Sequence, residues 1–471
     1  MIGIIPAAGR GTRVHPYTHG APKGMVDVGG RPNLDRTVEI MRDKLRVTKI
    51  VIVVGPFGDQ IRDYFGDGAR AGVPMVYVEN DAVDRGLGYS LLLARPYVGD
   101  YACVMLSDEC YVDSNHEDIL ATDYRSVLAT CAVQAADAPE LIEKNYAVYA
   151  EHGRVRRIVE KPKRTKDALL GLGTFVFSAE FFEHLDAAVK SDQGSRSDPV
   201  SVLGRLCARG VRIASFELRG LYVNINDRDA LNLARATVRS HNFEAHSLGL
   251  ALLMKGSVQG TLRSLNEFLA LDRFRQIVLV LPPGCPTFEI PRGVECVSAP
   301  SSRYGDVMRT GLDAVSTDII VCAHSDGSCL PRDVSKLLEY LKESDVVAGT
   351  RTTRQLIEQG ANMRGLIRVA HILLAKLLEV VWWGYEPRFT DLGCTYRAIW
   401  RSSYDLIRGN LRTSGPEYSV EMFLETLRCQ RRVLEIPVSF AVRRKGVKEP
   451  DQTLRTFFSI LTLIVRRRFE T

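Results

Sequence analysis

The first residues of the chain already carry chemistry. An apolar run at residues 2–6 breaks into Ala7-Ala8-Gly9-Arg10-Gly11-Thr12-Arg13, and Pro22-Lys23 follows. Side chains this small let backbone N–H groups approach a triphosphate without Cβ clashes, and a helix N-terminus behind the loop adds its positive end. Arg13 and Lys23 bring side-chain cations to the same stretch. Further on, Leu106-Ser107-Asp108 closes a buried apolar run with a carboxylate, and Glu160-Lys161-Pro162 sets an acid beside a base. Backbone donors and cations gathered in one stretch suit a phosphate-bearing ligand.

Groups spread over 160 residues meet only if the elements carrying them end at one edge. Residues 2–6, 49–55, 73–79 and 101–107 are short β-rich apolar runs, with helical periodicity over 34–44 and 60–65 between them. That alternation predicts a doubly wound α/β sheet. The rhythm restarts near residue 247, with strands expected over 248–254, 276–281, 293–297, 318–323 and 345–349 and helices over 262–271, 306–314 and 333–342. The expectation is two α/β domains in tandem, residues 1–243 and 244–471, placed by the restart alone because no Pro/Gly/Ser-rich linker separates them. A length of 471 residues agrees, since one hydrophobic core usually stops growing well short of that.

Composition narrows the classes further. Apolar residues at 45% and charged residues at 25% exclude a disordered or collagenous chain. A net charge of +6, from 62 basic against 56 acidic residues, is too diffuse to argue for nucleic acid. Ten cysteines without a C-x-x-C pair read as small buried hydrophobes in a reducing cytosol. No uncharged run reaches the roughly 18 residues of a spanning helix. Residues 367–383, ending in Trp382-Trp383, and 457–465, closed by Arg466-Arg467-Arg468, fit either amphipathic helices in the headgroup plane or helices packed on the second sheet. The expected location is cytoplasmic, with peripheral contact at the inner face of the membrane in the first of these cases.

The run G-x-G-T-R with Pro22-Lys23 resembles the loop of the nucleotidyltransferases that activate sugar phosphates and related phosphate esters. Other motifs follow in that family's order over residues 1–235: Gly86-Leu87-Gly88-Tyr89-Ser90, Leu106-Ser107-Asp108, Tyr146-Ala147-Val148, Glu160-Lys161-Pro162, Gly173-Thr174-Phe175 and Tyr222-Val223-Asn224-Ile225-Asn226-Asp227. The resemblance implies attack of a phosphate monoester on the α-phosphorus of an NTP, with Mg2+ as cofactor and pyrophosphate leaving. It assigns Ala7, Ala8, Gly9, Gly11, Thr12, Arg13 and Gly88 to the nucleotide, and Tyr146, Glu160, Lys161 and Gly173 to the substrate. Asp108 would hold Mg2+ with Asn224 or Asn226, and Arg13, Lys23, Asp108 and Lys161 would be catalytic. The base stays open. Arg31-Pro32-Asn33-Leu34-Asp35-Arg36-Thr37 and Tyr89-Ser90 look more like the phosphocholine-type cytidylyltransferases, so CTP with an alcohol phosphate stands beside UTP, dTTP or GTP with a sugar 1-phosphate.

In the second half, Ser344-Asp345-Val346-Val347-Ala348-Gly349-Thr350-Arg351 and Thr390-Asp391-Leu392-Gly393-Cys394-Thr395-Tyr396-Arg397 resemble segments of family-2 glycosyltransferases of the dolichyl-phosphate mannosyltransferase type. So do Glu417, Glu421, Val433 to Val438 and Arg443 to Lys448. Both halves are then Rossmann-like domains of the GT-A type. The resemblance makes Asp326 the metal ligand, assigns catalytic roles to Asp326 and Glu417, and places Arg351, Asp391 and Arg397 against a polyprenyl-phosphate or other acceptor. The usual D-x-D reads His324-Ser325-Asp326 here, and the acid pair after the second strand reads Leu281-Pro282-Pro283. Two readings follow: a bifunctional enzyme that makes an activated group and transfers it, or a nucleotidyltransferase with a catalytically inactive binding or membrane-docking domain.

Overall fold

The computed structural model describes residues 1–9, 21–136, 138–191, 198–353, 356, 358, 366–385, 387–442 and 454–470. The expected nucleotide-loop residues Gly11, Thr12 and Arg13, and residues 443–448 of the second half, lie outside the described residues. The chain divides into two compact units, Met1–Val238 and Arg239–Thr471.

The first unit is built on β1 (Ile2–Ala7), β2 (Ile50–Val54), β3 (Met75–Glu79), β4 (Tyr101–Met105), β5 (Glu109–Val112), β6 (Ala129–Gln134), β7 (Tyr146–Glu151), β8 (Arg154–Glu160), β9 (Leu169–Ser178), β10 (Ile213–Glu217) and β11 (Leu221–Asn224). Nine of these form one mixed sheet in the order β3-β2-β1-β4-β9-β6-β10-β8-β7, and β5 pairs with β11 in a separate ladder. Strand β2 is Ile-Val-Ile-Val-Val with every residue buried. A β-branched run of this kind fits a strand covered on both faces, and β2 lies parallel to β1 and β3. Strand β3 begins at Met75, two residues later than expected, because Pro74 has no N–H to give to a ladder. The helix expected over 34–44 is α1 (Asn33–Glu39) followed by a wider turn at Ile40–Lys44, in which the Leu45 N–H reaches Ile40 O at 3.1 Å. Later in the chain come α2 (Leu87–Leu93) and α3 (Arg228–His241), the last three residues of which belong to the second unit.

The second unit carries β12 (Leu248–Leu253), β13 (Gln276–Leu281), β14 (Val294–Ser298), β15 (Ile319–His324), β16 (Val346–Thr350), β17 (Arg397–Trp400) and β18 (Val433–Pro437), in the order β14-β13-β12-β15-β17-β16-β18. Numbered along the chain, that order is 3-2-1-4-6-5-7, with the sixth strand antiparallel to both neighbours. The seven strands of the first sheet counted from its β3 edge, β3 to β10, follow the same order, and there the antiparallel sixth strand is β9. Between the fifth and sixth strands the first unit inserts β7 and β8, whereas the second inserts α4 (Leu366–Val381). Apolar clusters lie on both faces of each sheet.

The two segments with an amphipathic pattern are α4 and α6 (Leu454–Phe469), and they pack on one another and, through α6, on α5 (Tyr418–Arg428). Trp382, after α4, is buried and donates its indole N–H to Ile464 O at 3.0 Å. No described helix is long and apolar enough to cross a membrane.

Candidate active site

Strands β1 and β4 run parallel, so the chain leaves both at the same edge of the first sheet. This is the edge at which open α/β sheets bind ligands. Beyond β1 come Ala8, buried, and Gly9, exposed; beyond β4 comes Ser107, whose hydroxyl donates to Pro6 O at 3.2 Å and ties the two strand ends together. Asp108 follows at once. Its carboxylate accepts from Lys23 Nζ at 2.5 Å, and the same ammonium donates to Asn226 Oδ1 at 2.9 Å. Asn226 is held there because β11 pairs with β5 and the Ile225 N–H reaches Asp108 O at 2.8 Å. Three expected residues, far apart in sequence, therefore converge. Asn224, at the end of β11, gives its amide N–H to Asn145 Oδ1 at 3.1 Å, and its own Oδ1 is buried with no hydrogen-bond partner among the described residues.

Sequence reasoning passed over the residue beside Asp108. Glu109 is buried and accepts from the Gly173 N–H at 2.8 Å, from the Tyr222 hydroxyl at 2.8 Å and from the Tyr111 hydroxyl. Burial pushes its carboxyl up to about 7, the Tyr111 hydroxyl pulls the other way and the Asp108 charge adds to the rise. A Cβ on Gly173 would lie 2.6 Å from this carboxylate, so the glycine is required by packing. Asn33 was also missed as a support; its amide donates to Ser107 O and Glu109 O at 3.1 and 2.9 Å, fixing the backbone on both sides of Asp108. Gly55 is a third, since a Cβ there would meet Ala8 O at 2.3 Å.

The expected substrate residues divide. Glu160 and Lys161 are exposed, with the Glu160 carboxylate on the Ser201 hydroxyl at 3.1 Å and the Lys161 N–H on Asn145 O at 2.8 Å. Tyr146 differs from expectation. It is buried over Gly171, with its hydroxyl on Leu172 O at 2.6 Å, and shapes the wall instead of offering its hydroxyl to a ligand. Gly88 is buried in the first turn of α2, where Arg85 stacks on Tyr89.

In the second unit Ser325-Asp326 follows β15, as Ser107-Asp108 follows β4. Ser325 is fixed by its N–H on Leu253 O and by its hydroxyl, which accepts from the Lys255 N–H, both at 3.0 Å. Asp326 is buried, accepts from the Ser328 N–H at 3.0 Å and lies 3.9 Å from Lys255 Nζ. Burial would raise its carboxyl, but His324, Ser328 and Lys255 outweigh that and hold it below the ordinary range. His324 joins Thr395 at 2.9 Å. Arg351 and Asp391 are both buried and satisfy each other through contacts of 2.7 and 2.8 Å, which depresses the acid strongly. His371 of α4 lies 3.4 Å from the same carboxylate. Arg397 differs from expectation: it is fully buried, stacked on Phe423, with its guanidinium on Cys394 O at 2.6 Å and on the Ser419 hydroxyl, so it braces β17 and α5 and has no surface open to solvent. Glu417 stays half-exposed before α5, whereas Glu421 is buried and binds Thr413 and Arg467.

Residues 2–230 match the nucleotidyl transferase family model. They form a nucleotidyltransferase domain. The chain is 29% identical over 195 residues to the UTP–glucose-1-phosphate uridylyltransferase AglF of Haloferax volcanii, covering 41% of this chain and 79% of that one. Against a glucose-1-phosphate thymidylyltransferase of Streptomyces antibioticus it is 27% identical over 241 residues, 50% of this chain and 66% of the relative. It spans about half the length (51%) of a bifunctional protein GlmU from Methanococcus maripaludis, at 28% identity. Among solved structures, a putative glucose-1-phosphate thymidylyltransferase from Bacillus anthracis is similar to 52% of this chain at 24% identity, with 97% of that chain covered and a TM-score of 0.46. The family match ends at residue 230, so it includes Asp108 and does not reach Asp326.

Proposed function

We propose that the nucleotidyltransferase domain joins an NTP to a sugar 1-phosphate and releases pyrophosphate. The observation that carries this reading is the convergence of Lys23, Asp108 and Asn226 at the carboxyl edge of the sheet. Both reactants are anionic, so the step needs cations on either side of the α-phosphate and a fixed line of attack. Lys23 is placed to move from Asp108 to phosphate oxygens and to offset the charge that develops there. Lys161, exposed beside Glu160, would hold the substrate's own phosphate, and Arg13 the outer phosphates of the nucleotide.

The donor set also fits Mg2+. Asp108 offers a carboxylate oxygen and Asn224 and Asn226 amide oxygens, that of Asn224 a buried acceptor with no donor among the described residues. Hard oxygen donors suit this ion, which commonly takes one or two protein carboxylates and completes its shell with phosphates. When bound, the ion would neutralise phosphate charge; the orientation of the reactants falls to Lys23, Asp108 and the loop.

Relatives named as a UTP–glucose-1-phosphate uridylyltransferase and a glucose-1-phosphate thymidylyltransferase support a sugar phosphate and a pyrimidine nucleotide. The Pro32-Asn33-Leu34 run keeps CTP with an alcohol phosphate as the competitor. Pyrophosphate release, measured for the four common NTPs against a panel of sugar and alcohol phosphates, decides; no release with any pair would end the proposal.

For the second unit, the repeated strand order and a second Ser-Asp step with a lysine beside the acid support transfer of the activated group, with a lipid phosphate as the acceptor class. Asp326→Ala should leave pyrophosphate release unchanged and stop transfer to an acceptor. If transfer persists in Asp326→Ala, or never occurs in the parent chain, the second unit is a binding module.

A further inference from the structure

We propose that α4 and α6 form a docking face for an anionic phospholipid surface. Among the described residues, seven of the fourteen large hydrophobic side chains left exposed lie on or beside these two helices. On α4 they are Val369, Leu373 and Val380, with Trp383 just beyond, exposed by 51, 59, 70 and 71%. Spacings of three, four and seven put them on one helix face, and Lys376 falls in the same stripe. The opposite face, Leu374, Ala375 and Leu378, is buried in the second unit's core. Helix α6 repeats the arrangement. Phe458, Val465 and Phe469 are exposed beside Arg455 and Arg466, while Ile460, Leu463 and Ile464 are buried and Arg467 is pinned to Glu421 and Glu425. The apolar side chains are therefore surplus to folding.

The charge on the face selects the occupant. Lys376, Arg388, Arg455, Arg466 and Arg468 are exposed around it, with Arg388 over the Trp383 ring at 6.0 Å. Its described acids are Glu379, bound to Lys376 at 2.7 Å and to the Phe389 N–H at 2.8 Å, and Glu470, bound to Arg466 at 2.7 Å and Arg467 at 3.3 Å. Apolar side chains with a tryptophan and surplus arginines match the acyl–headgroup boundary of an anionic leaflet. A second copy laid on this face would set arginine against arginine. With no described helix long enough to span, the pair lies in the surface plane. The proposal is independent of either activity.

The test uses the full chain and sedimentation with vesicles of phosphatidylcholine, with and without phosphatidylglycerol. Expected are binding to the phosphatidylglycerol vesicles that weakens with salt, and a blue shift of tryptophan emission, since Trp383 is exposed whereas Trp382 and Trp400 are already buried. The exposed-site variants Leu373→Glu and Val380→Glu should each weaken binding about tenfold, and Arg455→Ser and Arg466→Ser about fivefold, with unchanged melting. The proposal is overturned if phosphatidylglycerol vesicles do not bind, if the four variants bind like the parent, or if Leu373→Glu alters the oligomeric mass and not vesicle binding.

Discussion

Asp108 is exposed enough to meet a ligand and buried enough for its partners to matter, with 26% of its side chain open against 13% for Lys23. Replacing it by Asn keeps the shape and removes the charge that both Lys23 and a divalent ion would answer. Asp108→Asn should lower the rate of pyrophosphate release by about 10²–10³-fold with the melting temperature little changed; near-normal turnover would remove Asp108 from the reaction. Its type and place were legible in the sequence because an acid closing a buried apolar run is a local signal. Glu109 was not, because what defines it is Gly173, 64 residues on, and Tyr222, 113 on, which only the closed sheet brings to it. Tyr146 and Arg397 were misread for the opposite reason. Polar side chains inside a motif look available in a sequence, and only packing reveals that Leu172 O and Cys394 O already occupy them.

Strands were read well wherever both faces are buried, as in β2, β13 and β15, since a β-branched run has few other uses. The ladder of β5 with β11 was unreadable as a pair. It joins residues more than 100 apart, yet it carries Asn224 and Asn226 to Asp108. The loop after β5 holds a titratable brace for β9. His116 is buried, with ring nitrogens 2.7 Å from the Ser114 hydroxyl and 3.2 Å from the Thr174 hydroxyl. Burial first, and Lys44 second, push it down to about 3. Its folded value lies below the unfolded value of about 6.5, so its contribution is complete above pH 6.5 and declines as pH falls toward 3. Between pH 7 and 5 the parent should lose about 2 kcal/mol that His116→Asn does not lose. Urea midpoints of the two proteins across that range check it, and parallel midpoints would refute it.

At the scale of the molecule, each unit has its own core and its own buried charge. In the second, Asp345 is buried and binds Arg239 at 2.6 Å, the Ser403 hydroxyl at 2.9 Å and the Arg432 N–H at 2.9 Å. Asp345→Ala leaves Arg239, itself 4% exposed, without its carboxylate. It should cost the second unit about 3–5 kcal/mol, read as a lowered calorimetric transition with pyrophosphate release intact at 25 °C. A single merged shift of the whole chain would contradict that. The two-unit plan could be read from the restart of the strand rhythm, but the identity of strand order could not, because order is a property of pairing. One consequence concerns the stretch between the fifth and sixth strands, filled by β7 and β8 in one half and by α4 in the other. Each sheet keeps the edge that carries its serine–aspartate step constant and leaves this slot free for inserts of unlike shape. A change of insert in either half can thus be accommodated there without disturbing the strands that present its serine–aspartate step.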